Sequence, residues 1–510
     1  MARPSEPGFL LRMPLFLLIW GIASLSMYVP AAYSLALDMH SPSRSFFYAG
    51  TLGLICVTLI ALAMAGRASR HSAISQLLSL LATFFLLPVF LAVPLHDALH
   101  GVNFLNAYFD MVSSITTTGA DIYDDPTRLI APLHLWRALV GWMGGLLMWV
   151  AASAILAPLS LGGFEVTMQS EPGRGNIGRD ASRRSDPRLR LARITFTLAP
   201  IYGGLTLVVW VLLLVAGDPG LVALCHAMSI MATSGISPVG GLSGAQSGLL
   251  GEYVLFLFMF FALSRLTFST DTVARGYARL DKDPEFRIGM LIVFTVPILL
   301  FLRHWVGTLE EGDTDTLLEA FRAFWGALFT VLSFLSTTGF ESADWDMAQS
   351  WSDLESAGLI LMGLALIGGG VATTAGGVKL LRVFALYLNG LHEMQRLVHP
   401  SAVIVELKKN QRIRKDGAFV AWIFFMLFAL SLASITVVLA ATGVSFDQAL
   451  VLSIASLSTT GPLIDAAAET PIKLIELSTL AKSVLCAAMV IGRLETLAII
   501  ALFTPNLWRA

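Results

Sequence analysis

Apolar runs long enough to cross a bilayer recur from one end of this chain to the other, and they fix its solvent before any motif is read. A crossing takes about 20 residues, each rising 1.5 Å, to span roughly 30 Å of hydrocarbon. "FLLIWGIASLSMYVPAAYSLAL" at 16–37 is one such run, and "GAFVAWIFFMLFALSLASITVVLAA" at 417–441 is another. With 56% hydrophobic and 13% charged residues among 510, no single soluble core holds this much apolar surface. The expected fold is an all-α polytopic membrane protein. Arg3 and Arg12 precede the first run as they would in a signal peptide. That run is long and lacks a convincing small-residue cleavage site, so it reads as a retained span. Cys56, Cys225 and Cys486 lie far apart inside apolar segments, a spacing that suggests neither a disulfide framework nor a thiolate metal site.

The connections sort by charge. Three loops are basic: one from Arg174 to Arg193, one from Arg275 to Arg287, and one from Arg396 to Lys415. "HWVGTLEEGDTDTLLEA" carries Glu310, Glu311, Asp313, Asp315 and Glu319 with no Lys or Arg. Short Lys- and Arg-rich loops resist translocation, so the basic loops and both termini are expected in the cytoplasm and the acidic loop outside. Between successive basic loops there is more apolar sequence than two spans need, and the surplus beside each outer loop is expected to enter the membrane and return. The spans are expected near 10–37 and 46–66, then in pairs near 74–96 and 135–158, 191–216 and 248–270, 287–304 and 355–395, and 416–442 and 475–503. Ten crossings result: two leading helices in 1–70, then four pseudo-symmetric units of span, re-entrant helix and span in 71–165, 166–275, 276–400 and 401–510.

The re-entrant pieces repeat. They read "NAYFDMVSSITTTGA", "VALCHAMSIMATSGIS", "GALFTVLSFLSTTGF" and "QALVLSIASLSTTGP", aligned on Gly119, Gly235, Gly339 and Gly461. Two positions before the glycine stands a threonine every time: Thr117, Thr233, Thr337 and Thr459. Twelve before it stands an alanine, and six before it a small residue, Ser113, Ser229, Ser333 or Ala455. The glycines are 116, 104 and 122 residues apart, so the repeating object is a whole structural unit. Small residues in one membrane helix often mark close packing alone; four in register call for a common purpose. Backbone that leaves helical geometry exposes carbonyls, which in hydrocarbon are tolerated only where they line a water- or ion-filled cavity. Four such breaks around one axis would present rings of oxygens able to replace a cation's hydration shell. The C-terminal ends of the short helices favour a cation too. Asp121, Glu341 and Asp465 follow three of the four glycines and would concentrate cations at an outer mouth, although outer-loop acids are often simply solvated.

These residues resemble the superfamily of K⁺ transporters containing the Trk, Ktr and HKT proteins. With its two leading spans the chain is most similar to the TrkH/TrkG type of membrane subunit, a likeness that extends over nearly its whole length. "WRALVGWMGGLLM" (136–148), "GGGVATTAGGVKLLR" (368–382), "EMQRLVHPSAVIVELKKN" (393–410) and "GRLE" (492–495) carry it further. The resemblance implies K⁺ uptake across the bacterial inner membrane through a selectivity filter. Its residues here would be Thr117, Thr118 and Gly119, Thr233, Ser234 and Gly235, Thr337, Thr338 and Gly339, and Thr459, Thr460 and Gly461. Glycine in the first unit goes with K⁺ preference in that superfamily, and serine there with Na⁺. The second and fourth copies, "TSGIS" and "STTGP", diverge around the glycine. K⁺ is implied as the transported ion with no organic cofactor, a TrkA-like nucleotide-binding cytoplasmic protein as partner, and a homodimer as the assembly.

"GGGVATTAGG" makes poor helix, since each glycine costs about 1 kcal/mol there relative to alanine. By resemblance it is an intramembrane gate under the filter, with Gly368, Gly369, Gly370, Thr373, Thr374, Gly376 and Gly377 at its core. Arg493 lies within the last span, where a charge costs at least about 2.5–3.5 kcal/mol and faces a partner or an aqueous cavity. The resemblance implies that it projects into the pore beneath the filter; Glu495, two residues on, points to another helix face. Lys482, nearer the outer end of that span, reads equally as a snorkelling side chain. "GRGNIG", with Gly173, Gly175 and Gly178, matches a dinucleotide fingerprint but follows no strand and lies in an arginine-rich loop, so it is rejected. The nine histidines are scattered, His226 sits alone on a re-entrant helix, and no H-E-x-x-H or serine–histidine pairing appears, which argues against a membrane enzyme. A proton-coupled carrier would show acids in mid-span, and the spans read as nearly free of them. A carbonyl filter serves passive conduction and H⁺- or Na⁺-coupled transport alike.

Overall fold

The computed structural model describes residues 13–64, 73–99, 101–123, 125–159, 161–164, 187–264, 283–308, 317–352, 357–398 and 415–495. Every regular element among them is helical. The leading crossings are α1 (Leu15–Ser26) with α2 (Tyr28–Ala36), and α3 (His40–Met64). Pro30 explains the break between α1 and α2: it lacks an N–H and its ring crowds the carbonyl four residues back. Pro88 marks the same kind of break between α4 (Ala73–Phe85) and α5 (Leu87–Ala98).

The first unit continues with α6 (Phe104–Ile115) and α7 (Ala131–Ala151), which runs through a π turn to Leu159. The second unit is α8 (Pro187–Ala216), α9 (Gly220–Ala232) and α10 (Gly248–Met259). The third is α11 (Pro284–Thr308), α12 (Leu317–Leu335), α13 (Trp345–Ser352), α14 (Ala357–Ile367) and α15 (Leu380–Val398). The fourth is α16 (Lys415–Ala441), α17 (Phe446–Ser458), α18 (Leu463–Ala467) and α19 (Thr479–Leu494).

Among the described residues eight helices are long and apolar enough to cross a membrane. Seven coincide with expected crossings. The eighth is α12, which at 19 residues is longer than its counterparts α6, α9 and α17 and long enough by itself to span. The three remaining expected crossings fall on α10, on α14 with α15, and on α19, which are short or interrupted. The basic loops between 165 and 186, between 265 and 282 and between 399 and 414, the Gly173–Gly178 stretch, residues 310–315 and the end of the last span beyond 495 lie outside the described residues.

Burial separates an inner layer from an outer one. The span Ala131–Leu159 has 72% of its most apolar window buried in protein, against 28% for Leu189–Ala216, Pro284–Leu302 and Gly417–Ala441. Phe196, Val215, Leu291, Phe419 and Val437 on the outer spans are 64–81% exposed. Leaving side chains of this kind in water forgoes about 1.5–3 kcal/mol each, so these faces meet lipid. The chain is a multi-pass membrane protein, and what the outer spans surround is the set of short helices α6, α9, α12 and α17.

Candidate ion pathway

All four short helices end in the same way. The N–H groups of Thr118, Ser234, Thr338 and Thr460 donate five residues back, to the carbonyls of Ser113 (2.9 Å), Ser229 (3.0 Å), Ser333 (2.9 Å) and Ala455 (2.9 Å). Thr117, Thr233, Thr337 and Thr459 donate three back, to Ser114, Ile230, Phe334 and Ser456. This pair of bonds is the Schellman helix stop, and it gives the sequence repeat a physical reading: the small residue six before each glycine is the stop's acceptor. The stop needs a left-handed residue, and the four threonines adopt it, with φ of 55°, 51°, 58° and 54°. Glycine takes this conformation freely, whereas a β-branched residue held there costs on the order of 1–3 kcal/mol. Each stop therefore carries a hydroxyl at a strained position that glycine would occupy freely. Those of Thr117 and Thr459 are buried without a protein partner among the described residues.

The four ends converge in chain order. A Cβ added to Gly119 would lie 1.7 Å from the Ser234 carbonyl oxygen, one on Gly235 2.4 Å from that of Thr338, one on Gly339 3.1 Å from the Pro462 ring, and one on Gly461 2.1 Å from the Ala120 nitrogen. Unit one thus meets two, two meets three, three meets four and four returns to one. Gly119, Gly235 and Gly339 are left-handed at φ 71°, 65° and 83°, while Gly461 is not. Of the two copies that diverge in sequence, only the fourth departs in backbone. Pro462, with φ fixed near −59°, starts α18 directly after Gly461. The Gly461 carbonyl consequently accepts from the N–H of Ile464 at 2.9 Å, and the Gly461 N–H donates to the Thr118 carbonyl at 2.5 Å. The ring is three like quarters and one unlike.

On the side of the residues preceding the glycines, the ring is covered by the glycine-rich segment 368–379. Its backbone turns at Gly368, Ala372, Gly377 and Lys379, all with positive φ. The Gly376 N–H donates to the Thr337 hydroxyl at 2.7 Å, and the Thr374 hydroxyl to the Met231 carbonyl at 3.3 Å. A Cβ on Gly376 would lie 2.0 Å from the Ser458 carbonyl. The segment therefore touches the second, third and fourth units at once. Its own ends are held by Gly370 N–H on Ala262 O, Val378 N–H on Leu366 O and Val371 N–H on the Glu285 carboxylate. Arg493 donates to the Thr374 carbonyl at 2.6 Å, and its Nε and second terminal nitrogen have no protein partner among the described residues. Trp149, Tyr202, Met231, Thr233, Thr373 and Thr374 border a small cavity beside it. The partner that Arg493 finds within the span is thus a backbone carbonyl.

Acidic side chains tie the segments around the ring to neighbouring helices, and two of them, Asp110 and Glu252, are buried and were not singled out in the sequence. Asp110 on α6 and Asp121 after Gly119 both meet Arg137 of α7, at 2.9 and 3.1 Å. Glu252 on α10 accepts from Trp325 Nε1, the Ser342 hydroxyl and the Ala343 N–H at 2.8, 2.7 and 2.7 Å. Lys482 does not snorkel: it is buried and donates to Asn106 Oδ1 and Ile475 O, both at 2.8 Å. Glu495 does face away from Arg493, and pairs with Arg382 at 2.6 Å. His226 is not alone, lying 2.9 Å from the Ser237 hydroxyl and 3.9 Å from Asp218. Glu341, in the loop between α12 and α13, has its carboxyl pushed up to about 7 by burial and by Asp346 and Asp465. No cluster of His, Cys, Asp and Glu with metal-holding geometry occurs among the described residues.

Residues 254–510 match the TrkH family model, described as a cation transport protein. The Trk system potassium uptake protein TrkH of Halomonas elongata is 31% identical over 408 residues, 79% of each chain. TrkG of Escherichia coli, another Trk system potassium uptake protein, is 28% identical over 431 residues, 84% of each chain. The crystal structure of the potassium transporter TrkH from Vibrio parahaemolyticus superposes with a TM-score of 0.81 at 25% identity, covering 98% of this chain and 100% of that one.

Proposed function

This chain belongs to the TrkH family of cation transport proteins, and from that premise we propose that it takes up K⁺ through the ring formed by its four helix stops. The observation that carries the reading is the closure of Gly119, Gly235, Gly339 and Gly461 into one cycle of mutual backbone contacts. Carbonyls and threonine hydroxyls of residues 117–119, 233–235, 337–339 and 459–461 replace the ion's hydration shell, and the converging helix C-termini add a favourable field. K⁺ is the cargo because the relatives that cover most of this chain are named as potassium uptake proteins.

The segment 368–379 acts as the gate. Its hydrogen bonds to Thr337 and Met231 close the inner side of the ring, and opening requires it to swing clear of both. Arg493 serves the closed state twice, by holding the Thr374 carbonyl and by setting a positive charge beneath the ring. In this reading the acids after the glycines lie at the outer mouth, and the Lys- and Arg-rich loops, which resist translocation, lie with both termini in the cytoplasm of a bacterial cell whose inner membrane holds the ring. The relatives are named as parts of a system. We extend the proposal accordingly to a homodimer that docks a TrkA-like nucleotide-binding protein on its cytoplasmic face.

Uptake of ⁸⁶Rb⁺ into proteoliposomes of the purified chain, at zero and imposed pH gradient and with K⁺, Na⁺ and Li⁺ as competitors, tests this reading. K⁺ is expected to compete and Na⁺ and Li⁺ to fail. Flux that is absent under every condition, with and without the cytoplasmic partner, overturns it. Dependence on the pH gradient or on Na⁺ makes the chain a coupled carrier of the same architecture.

A further inference from the structure

Nine positions before the repeat glycines stand Asp110, His226, Thr330 and Leu452. No sequence rule marks the position, because its four occupants share no chemistry. Their surroundings do share something. In the first unit Asp110 and Asp121, the residue two past Gly119, are clamped by one guanidinium, that of Arg137. In the second unit the His226 ring nitrogen lies 2.9 Å from the hydroxyl of Ser237, the residue two past Gly235. In the third the Thr330 hydroxyl accepts from the N–H of Ser342, three past Gly339, at 3.2 Å. In the fourth, Leu452 and Leu463, two past Gly461, are both fully buried apolar residues. The three units with a polar link between helix and outgoing segment are those whose glycine is left-handed, and the unit with apolar residues at both places is the one whose glycine is not.

We propose that the residue nine before the repeat glycine is a positioning residue in the first three units, tying the segment that leaves the glycine back to the helix that leads into it, and that the fourth quarter is held instead by the hydrogen bonds of Gly461 to Thr118 and Ile464. The inference rests on the ring being the ion's path. A carbonyl that must meet a dehydrated ion within a few tenths of an ångström needs its strand fixed at both ends. The helix stop fixes the inner end in all four units, and the link fixes the outer end in three.

The links are themselves held from behind, which separates them from incidental contacts. Asp218 accepts from the N–H groups of Gln246 and Ser247 and from the Ser247 hydroxyl, and faces His226 across 3.9 Å. The far edge of the His226 ring packs against Phe340, next after Gly339, at a centroid distance of 5.5 Å. His226 thus reaches two adjacent quarters. Glu252 does the equivalent for the third, gripping Ser342 and Ala343 from the second unit.

The test uses His226→Leu, which gives the second unit the residue of the fourth, beside Ser237→Ala, which removes the other partner of the same bond, and His226→Gln, which keeps a donor and acceptor in place. Two readouts are taken on the purified full chain: ⁸⁶Rb⁺ against ²²Na⁺ uptake in proteoliposomes, and the shift in thermal unfolding that K⁺ gives relative to Na⁺. Both His226→Leu and Ser237→Ala are expected to lower the Rb⁺:Na⁺ ratio by about two- to tenfold, the range that the net worth of one hydrogen bond translates into. Both should lose the K⁺-specific part of the thermal shift, and His226→Gln should recover most of each. Should His226→Leu fail to fold, Ser237→Ala alone decides. Folded variants with the ratio and the K⁺-specific shift of the unaltered chain overturn the proposal. Absence of Rb⁺ uptake by the unaltered chain overturns the uptake reading instead, and the thermal shift then still reports on the link.

Discussion

The N–H of Gly461 donates to the carbonyl oxygen of Thr118 at 2.5 Å, so the fourth quarter of the ring is hydrogen-bonded to the first, where Gly119 and Gly235 pack against carbonyls and Gly339 against the Pro462 ring. A carbonyl has two lone pairs, and among the described residues Gly461 engages one of those of Thr118. The asymmetry originates in one residue. Pro462 cannot extend the left-handed turn and begins α18 instead, turning the Gly461 carbonyl onto Ile464.

Gly119→Ser separates the geometric demands of the ring from its chemistry. The new Cβ would stand 1.7 Å from the Ser234 carbonyl, on a backbone with φ of 71°. A side chain at positive φ costs about 1–2 kcal/mol, and overpacking typically another 1–3 kcal/mol. Relief requires the first and second quarters to move apart. Rb⁺ uptake is expected to fall at least tenfold and Na⁺ to become an effective competitor, as measured by ⁸⁶Rb⁺ influx at fixed K⁺ and rising Na⁺.

Arg493→Gln keeps a donor for the Thr374 carbonyl and removes the charge. A fixed positive charge on a cation's path raises its barrier by roughly a few kcal/mol at the effective dielectric of a protein interior. Uptake through the open gate is therefore expected to rise about tenfold, with K⁺ over Na⁺ preference unchanged because the ring is untouched. Initial rates of ⁸⁶Rb⁺ influx read both, and a rate at or below that of the unaltered chain would show that the guanidinium is structural.

Sequence alone reached the ring because the helix stop recurs. One left-handed threonine carries no signal, but Thr117, Thr233, Thr337 and Thr459 in register do. The non-helical break at 368–379 was legible through glycine content, and a polar contact for Arg493 through the cost of a charge in a span. The supports behind them were not. Arg382 and Glu495 pair across more than a hundred residues, and Arg137 meets Asp110 only because α6 and α7 pack; periodicity carries neither. Lys482 was ambiguous for a different reason. A long cation near a span's end has two solvents within reach, and only the placement of Asn106 and Ile475 decides between them. The length of α12 and the departure of the fourth glycine likewise depend on what surrounds Leu317 and Pro462.

The Arg382–Glu495 pair predicts a stability pattern. It is buried, 2.6 Å long, and Arg382 also stacks on Phe424 with 3.6 Å to the ring centroid. Deleting one member leaves an uncompensated buried charge, worth about 3–5 kcal/mol, whereas replacing both by apolar residues is often neutral. Glu495→Gln and Arg382→Met are each expected to lower the detergent-phase melting temperature markedly, and the double variant Arg382→Met, Glu495→Met to recover most of the loss. Equal losses in all three would place the energy in the stacking on Phe424.

Glu341 predicts the pH dependence at the outer mouth. Its carboxyl ionises near 7 in the folded chain instead of near 4.5, because burial and the charges of Asp346 and Asp465 oppose ionisation. Above pH 7 it is charged and draws cations to the mouth; as pH falls through 7 that attraction is lost. The apparent affinity for Rb⁺ should weaken between about pH 8 and pH 6, and Glu341→Gln should hold the acidic value throughout. The sign for stability is opposite. A raised carboxyl pKa means that the folded chain binds more protons than the unfolded one between pH 4.5 and 7, so stability declines as pH rises across that window. Glu341→Gln removes that decline. A variant whose affinity still follows pH as before would move the titrating group elsewhere, and one whose melting profile alone changes would leave Glu341 a buried acid with no part in ion entry.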